Sequence, residues 1–381
     1  MVEDEVQTRK RRRQTWDVGP AEQVEADDKA RPPAKCRPGS PPKRDDDRDG
    51  HYVFSLGENL TPRYKILGKM GEGTFGRVLE CWDRQTREYV AVKVVRSIRK
   101  YRDAAMIEVD VLQQLAKNEI GLSLYLIFYR LPYLTDMHDL SLIHTDLKPE
   151  NILLVSSDYV KLPGYKRISP EETHFRCLPK SSAIKLIDFG STAYDKQNHS
   201  SIVSTRHYRA PEVILGLGWS FPCDIWSIGC ILVELCSVSP ALVFFFPNSA
   251  VMIWNILVIY IQGMKILFQG EMLFQTHENL EHLAMMERVL GPFPDHMIRR
   301  ANRGAEKYFR RSRLNWPEGA VSRESIKAVK KLDRLKNMLS QYAGYPRSSL
   351  VDLLHGLLEF DPSKRLTARQ ALDHQFFRIP T

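Results

Sequence analysis

The sequence predicts an α+β fold with two lobes, a small β-rich N-terminal lobe and a larger helical C-terminal lobe. Three segments with strand character follow one another between residues 64 and 95. After about residue 130, helical patterns dominate, and the loops between them carry Asp, Pro and Gly. A chain of 381 residues with 43% hydrophobic and 27% charged residues can build such a domain, and this composition excludes a wholly disordered protein and argues against a multi-span membrane protein.

The charge and the cysteine content further narrow the class of protein to which the chain can belong. The net charge is +9, and the six cysteines form no Cys-x-x-Cys pair, which argues against a disulfide scaffold and against structural zinc. Residues 1–50 are rich in charge and Pro, so they predict a disordered charged tail. Within this tail, the basic block at residues 9–13 is a nuclear import signal, a contact for an acidic partner, or an ordinary solvated charge run. The charged N-terminus does not have the apolar core of a signal peptide.

The small lobe is predicted over residues 64–118. Residues 64–70 read as a strand that enters a glycine turn, and residues 77–83 and 89–95 read as two further strands joined by a polar turn. Residues 104–117 carry Ile107, Val111, Leu112 and Leu115 at helical spacing. The pattern predicts a helix after three strands.

A glycine-rich segment between the first two strands suits phosphate binding. Gly71, Gly73 and Gly76 let backbone N–H groups approach phosphate oxygens, and their place between two strands disfavours a Rossmann site. Lys93, on the third strand, needs an anionic partner, which is either a nucleotide phosphate or Glu108 on the following helix. These residues predict a flexible flap over a nucleotide.

The strongest chemical signal is the loop at residues 144–151. Asp146 can orient a hydroxyl and accept its proton, Lys148 can neutralise a transferring phosphoryl group, and the amide oxygen of Asn151 can bind Mg²⁺. An apolar strand over residues 184–187 ends in Asp188-Phe-Gly, and this carboxylate can bind Mg²⁺ that bridges phosphates. Ala-Pro-Glu at residues 210–212 closes the segment.

In this order, the motifs resemble those of eukaryotic protein kinases. The octapeptide Glu-His-Leu-Ala-Met-Met-Glu-Arg at residues 281–288 resembles the signature of the LAMMER dual-specificity kinases, close to the plant members. Thr145, where most kinases carry Arg, the segments 204–212 and 223–229, and the long insert before residue 184 are similar to the same branch. The similarity covers roughly residues 52–378.

The resemblance implies a bilobal protein-kinase fold whose larger lobe spans residues 144–377, with ATP and Mg²⁺ as cofactors. It makes Asp146 the expected catalytic base, supported by Lys148, and Asn151 and Asp188 the expected Mg²⁺ ligands. It also implies that Glu212 is buried against Arg365 and that Asp224 braces the catalytic loop. The residues expected to bind the nucleotide are Met70, Gly71, Gly73, Phe75, Gly76, Val78, Lys93 and Glu108.

The same resemblance implies a substrate class and a compartment. Kinases of this branch phosphorylate Ser/Thr, and also Tyr, with arginine/serine-rich splicing factors as substrates, and they are nuclear. We therefore expect a nuclear, monomeric protein kinase that acts on protein substrates, with no direct binding to nucleic acid and no membrane association.

The chain departs from the family pattern between the two lobes. Lys93 and Asp146 are 53 positions apart, and the family needs about forty more residues there for two strands and the hinge that holds adenine. The resemblance therefore predicts a shortened hinge region at residues 119–143, and we hypothesise that coding sequence is skipped near residues 122–135. The alternative to an active kinase is a catalytically impaired isoform that acts only as a binding module.

A second departure is an apolar insert of 32 residues at 238–269. A transmembrane helix is disfavoured, because residues 247–249 leave an uninterrupted apolar run of only about 12 residues, short of the roughly 20 that span a bilayer. Val can be encoded by codons that begin with GT, and Phe-Gln by TTTCAG, so the insert fits a retained intron of an aberrantly spliced transcript.

One basic cluster is left without an assigned role. Arg310, Arg311 and Arg313 follow two aromatic residues and could contact an acidic partner. A solvated face is the simpler interpretation.

Overall fold

The structure is a computed structural model that describes residues 46–117, 132–154, 156, 158–163, 175–180, 184–196, 200–236, 272–340 and 347–377. The charged tail up to residue 45, residues 118–131 with the first part of the shortened hinge region, and the whole insert 238–269 lie outside the described residues. The predictions made for these three segments therefore stay predictions.

The small lobe is built on one antiparallel sheet in the order β1-β2-β3. Its strands are β1 (Tyr64–Gly73), β2 (Gly76–Asp83) and β3 (Glu88–Val95). Ile66, Leu79 and Cys81 point into its core and are fully buried. Leu79 and Cys81 are two positions apart on β2, so they lie on the same face, and this face of the sheet is covered.

The glycine-rich segment differs from the prediction in one respect. Strand β1 does not end at residue 70 but continues to Gly73, because pairing with β2 extends to Gly71↔Val78 and Gly73↔Gly76. The turn is only the two residues between the strands. At Gly76, a side chain would overlap the carbonyl oxygen of Val94, so the close approach of β3 requires glycine there.

Helix α1 (Arg99–Lys117) begins five residues before the predicted start at residue 104. Its first turn is polar except for Tyr101, which is buried and packs edge-on against Phe75 with ring centroids 5.5 Å apart. Because this turn is anchored by a single aromatic residue, it carries no apolar periodicity for the sequence to reveal.

The large lobe is mainly helical, which confirms the predicted α+β fold. Its helices are α2 (Pro132–Asp139), α3 (Pro211–Leu215), α4 (Pro222–Cys236), α5 (Asn279–Leu290), α6 (Asp295–Arg300), α7 (Arg303–Glu306), α8 (Arg323–Lys331), α9 (Leu335–Ser340), α10 (Arg347–Leu357) and α11 (Ala368–Leu372). Helix α4 is buried on nearly all sides, and Trp226 on it stacks between Phe274 and Phe360. A helix that is apolar all round belongs in the middle of a core. Within the described part of the chain, no helix combines the length and apolar character needed to cross a membrane.

Short strand pairs position the loops of the large lobe. They are β4 (Leu142–Ile143) with β9 (Ala193–Tyr194), β5 (Ile152–Leu154) with β8 (Ile184–Leu186), β6 (Tyr159–Pro163) with β7 (Phe175–Pro179), and β10 (Phe309–Arg310) with β11 (Arg313–Leu314). Because β5 pairs with β8, the residue before β5 lies beside the residue after β8. Ile187 N donates to Asn151 O at 3.0 Å, a distance typical of a strand ladder. This pairing brings the loops that end at Asn151 and begin at Asp188 side by side.

Candidate active site

Lys93 joins both lobes at the centre of the site. Its Nζ lies 2.8 Å from Glu108 Oε2 on α1 and 2.9 Å from Asp188 Oδ1, which follows β8. Burial opposes the charge of Lys93, but the hydrogen bonds to Glu108 and Asp188 outweigh this effect and raise the pKa of Lys93. The ammonium group is therefore fixed and charged, as a phosphate-binding cation has to be.

Two of the predicted nucleotide-binding residues, Val78 and Phe75, lie close to Lys93. Val78 pairs directly with Lys93 across β2 and β3, so both side chains leave the same face of the sheet. The Phe75 ring centroid is 5.6 Å from Lys93 Nζ. Gly71 and Gly73 have open space where a Cβ would stand. Met70 lies at an irregularity of the β1–β2 register and is 63% exposed, and its contact with a nucleotide stays a prediction.

The loop between β4 and β5 holds a second cluster around Asp146. Lys148 Nζ lies 2.6 Å from Asp146 Oδ2, and Thr205 donates to Asp146 Oδ1 from both its N–H (3.0 Å) and its Oγ1 (2.7 Å). Sequence reasoning missed Thr205. Its only sequence signal was its place in the segment 204–212, which resembles the kinase pattern.

Hydrogen bonds to neighbouring segments hold the backbone of this loop in place. Asp224, buried on α4, accepts hydrogen bonds from His144 N at 2.8 Å and Thr145 N at 2.9 Å, which confirms the expected brace. Thr145 has a φ of 65°, and its Oγ1 donates to Ser191 O at 2.7 Å. A left-handed backbone at a threonine is strained and persists only where neighbours fix it. These bonds fix the backbone of the loop directly before Asp146.

The segment after β8 is fixed by packing. Phe189 is buried with Val111 of α1 and with Met137 and Leu142 of the large lobe. Asp188, just before it, has a φ of 66°. Because Phe189 is fixed between the lobes, the preceding Asp188 is directed toward Lys93. Helix α1 is held in place by the packing of Val111 with Phe189 and by the ion pair of Glu108 with Lys93.

The two predicted metal ligands suit Mg²⁺, which prefers hard oxygen ligands. Asn151 uses its Nδ2 to donate to Asp146 O at 2.9 Å, and within the described ranges its amide oxygen accepts no hydrogen bond. Asp188 uses only Oδ1 toward Lys93. One amide oxygen and one carboxylate oxygen therefore stay available, which is the small protein contribution expected when phosphates and water complete the Mg²⁺ shell.

Helix α5, which carries the signature at residues 281–288, supports the segment that follows Thr205. Arg206 Nη1 donates to Asn279 Oδ1 at 2.9 Å, and Ser325 Oγ on α8 donates to the buried Glu281. His282 is fully buried, and neither ring nitrogen has a hydrogen-bond partner among the described residues. Burial and the nearby Arg209, Arg206 and His207 lower the pKa of His282 to about 3.

His282 should make folding sensitive to acid. Its pKa in the folded protein is about 3, whereas the ordinary value is about 6.5. Below pH 6.5 the unfolded chain therefore binds a proton that the folded chain does not bind, and stability falls as the pH falls from 6.5 toward 3. By pH 5 the loss is about 2 kcal/mol.

Chemical denaturation at pH 7 and pH 5 measures this loss. We expect the difference between the two pH values to shrink by about 2 kcal/mol in a His282→Gln variant. The exposed His355 provides the matched control, since His355→Gln should leave the difference as it is in the wild type. An unchanged difference in His282→Gln would contradict the prediction.

Comparisons with known proteins identify the family of this chain. The protein kinase domain family matches residues 131–377. Serine/threonine-protein kinase AFC3 of Arabidopsis thaliana is 57% identical, covering 98% of this chain and 97% of the relative. Dual specificity protein kinase CLK2 of Homo sapiens is 37% identical, covering 87% of this chain and 67% of the relative. A crystal structure described as a kinase domain superposes with a TM-score of 0.68 at 33% identity, covering 87% of this chain and 100% of that chain.

The alignment with AFC3 also bears on chain length. It spans 429 positions, whereas this chain has 381 residues, so at least 48 positions of the alignment face a gap in this chain. Family match, relatives and site geometry agree: the chain belongs to the protein kinases, in their LAMMER branch of serine/threonine and dual-specificity kinases.

Proposed function

We propose that this chain transfers the γ-phosphoryl group of ATP to Ser, Thr and Tyr hydroxyls of arginine/serine-rich splicing factors in the nucleus. Protein kinases generally use ATP and Mg²⁺. The observation that carries the proposal is the pair of linked clusters, Lys93–Glu108–Asp188 and Asp146–Lys148–Thr205. One cluster provides charge for a triphosphate and the other provides a carboxylate for a hydroxyl, and the β5–β8 pair joins them.

The chain's own residues then have distinct tasks. Asp146 orients the substrate hydroxyl and accepts its proton, and Lys148 balances charge on the transferring group. Lys93 anchors the phosphates, and Glu108 holds Lys93 in position. Mg²⁺, when bound by Asn151 and Asp188, would neutralise phosphate charge. Positioning and electrostatic stabilisation would supply most of the catalysis.

A negative group near the catalytic loop supports arginine-rich substrates. Glu150 is exposed two residues after Lys148, in the loop that carries Asp146. A substrate with Arg beside the acceptor Ser would meet this carboxylate. The basic block at residues 9–13 supports the nuclear location, because such a block can serve as an import signal.

Steady-state kinetics test the substrate class. An arginine/serine repeat peptide should be phosphorylated with a lower KM than a peptide that has Lys in place of each Arg, because guanidinium binds carboxylates with paired hydrogen bonds. Glu150→Gln should raise KM for the arginine peptide by about threefold and leave kcat unchanged. Glu318→Gln, at an exposed carboxylate outside the site, is the control. Equal KM values for the two peptides would exclude the arginine preference.

A second candidate function is a binding module that does not grip nucleotide. Two observations favour it. Lys93 and Asp146 are only 53 positions apart, and at least 48 positions of the alignment with AFC3 face a gap in this chain. Such a module would keep the large lobe and helix α5 as a binding surface.

Nucleotide-dependent stabilisation separates the two functions. A ligand at 100 times its Kd stabilises the folded chain by about 2.7 kcal/mol, so Mg·ATP should raise the Tm of an active kinase. Lys93→Met should remove most of that shift, whereas Lys336→Met, at an exposed lysine on α9, should keep it. A folded chain that shows no shift with Mg·ATP would support the binding module.

A further inference from the structure

The tip of the β10–β11 hairpin presents a serine between arginines. Arg311 and Ser312 form the two-residue turn, and both have positive φ values, 51° and 58°. Arg310, Arg311, Ser312 and Arg313 are all exposed. None of the hydrogen bonds, ion pairs or ring contacts found for the described residues involves their side chains. The serine hydroxyl and three guanidinium groups therefore face solvent together.

Ser312 has a sequence context that no other serine of the chain shares. It is the only serine flanked by Arg on both sides. Ser97 is preceded by Arg96 but followed by Ile98, and Ser322 has Arg323 only after it. The tip is thus a short arginine/serine sequence displayed on a folded surface.

We propose that Ser312 is a phosphorylation site of this kinase, with a second copy of the chain as the substrate. The inference rests on the proposed function, because it uses the same preference for serine next to arginine. In the reaction, Ser312 Oγ forms a bond to the γ-phosphorus of ATP while the bond from that phosphorus to the β,γ-bridging oxygen breaks. ADP leaves, and the hydroxyl proton passes to Asp146 of the acting copy.

The hairpin can open at its tip with little loss. Only two residue pairs, Phe309↔Leu314 and Arg310↔Arg313, join its strands. Positive φ at two residues other than glycine is an unfavourable conformation that a rearranged turn would relieve. A kinase could therefore reshape the tip, residues 310–313, while the base of the hairpin stays closed.

The base of the hairpin limits how far the tip can move. Asn315 N donates to Tyr308 O at 2.8 Å, and Phe309 packs edge-on against Phe293. Four residues clamped at both ends reach about 7 Å at most. Through Asn279 and Arg206, the base of the hairpin is hydrogen-bonded to the segment that contacts Asp146, so the hairpin is fixed to its own large lobe. Because the tip is held in this way, we take a second copy of the chain as the substrate, and the mixing experiment below tests whether the transfer occurs between copies.

The product would be stabilised by its neighbours. A phosphoserine carries about two negative charges near neutral pH and accepts charge-assisted hydrogen bonds from Arg. The surrounding segment, residues 299–336, has 13 Lys and Arg against 4 Asp and Glu. Phosphorylation would therefore offset about two of the nine net positive charges (13 − 4) of this segment, next to the arginines of the tip.

Mixing two forms of the full-length chain tests the proposal. An inactive Asp146→Asn copy that carries a mass tag is incubated with the active copy, Mg·ATP and an arginine/serine peptide, and phosphorylation sites are mapped by mass spectrometry. We expect phosphate on Ser312 of the inactive copy only when the active copy is present. Ser312→Ala in the inactive copy should remove this site, and Ser97→Ala should not.

Recognition of the flanking arginines is tested in the same way. An Arg311→Lys/Arg313→Lys variant of the inactive copy keeps the charge and the turn but loses the guanidinium groups, so phosphorylation of Ser312 should slow about tenfold. A phosphorylated peptide together with unmodified Ser312 would overturn this proposal and leave the proposed function in place. If neither is phosphorylated, both fail. An unchanged rate in the lysine variant would overturn the role of the arginines.

Discussion

Replacement of Asp146 by Asn should lower kcat for phosphoryl transfer by about 10³-fold. The Asp146 carboxylate is the group placed to take the hydroxyl proton, and it is held by Lys148 at 2.6 Å and by Thr205 at 2.7 Å. Asparagine keeps the size and most of the contacts but cannot accept a proton. Because the substrate still binds, KM should change little. Initial rates on the arginine/serine peptide measure the effect.

Thr205 provides a graded comparison for this experiment. Thr205→Val removes the hydroxyl that donates to Asp146 Oδ1 but keeps the backbone N–H bond of 3.0 Å. We expect kcat to fall by about tenfold, since the carboxylate is less firmly oriented but still present. Thermal melting of each variant controls for folding. Equal rates for the wild type and Asp146→Asn would show that the observed transfer does not use this site.

Truncation of Arg365 to Ala should cost about 3–5 kcal/mol of folding free energy. Its guanidinium is completely buried and lies 2.6 Å from Glu212 Oε1, which is also buried. It also donates to the backbone oxygens of Pro222, Glu359 and Phe360. Removal of Arg365 leaves a buried carboxylate and several carbonyl groups without their donor. Chemical denaturation measures the loss.

An exposed ion pair with the same distance between nitrogen and oxygen provides the matched control. Arg369 and Asp139 also lie 2.6 Å apart, but their side chains are 67% and 57% exposed. Arg369→Ala should therefore cost less than about 1 kcal/mol. A double variant, Glu212→Gln/Arg365→Met, should be more stable than Arg365→Ala, because it leaves no unpaired buried charge. If both arginine truncations destabilise the chain equally, burial is not the cause.

The local elements were largely predictable, and their deviations have local causes. The three strands of the small lobe are short runs of strand-forming residues bounded by glycine or polar turns, so their predicted positions agree with the structure to within three residues. The β1 strand is longer because its glycines pair across the hairpin, and α1 is longer because its first turn is anchored by Tyr101 alone. Neither feature produces a periodic signal in the sequence.

The site was predictable to the extent that its residues belong to short motifs. Asp146, Lys148 and Asn151 lie within six positions, so one loop brings them together. The contact between Lys93 and Asp188 joins residues that are 95 positions apart, and only the resemblance suggested that they meet. The contact of Thr205 with Asp146 spans 59 positions, and its role was missed. A threonine hydroxyl is a common surface group, and it acquires a role only when the chain folds back over the loop.

The sequence by itself determined the chemistry of this protein: which carboxylates, ammonium group and glycines are present, in which order, and on which strands and loops. Tertiary structure alone decided which of them share a hydrogen bond, that Asp224 holds the loop under Asp146, and that Ser312 stands exposed among arginines. The physical reason is that periodicity and motif spacing report contacts within a few residues. Contacts between distant segments depend on how the whole core packs.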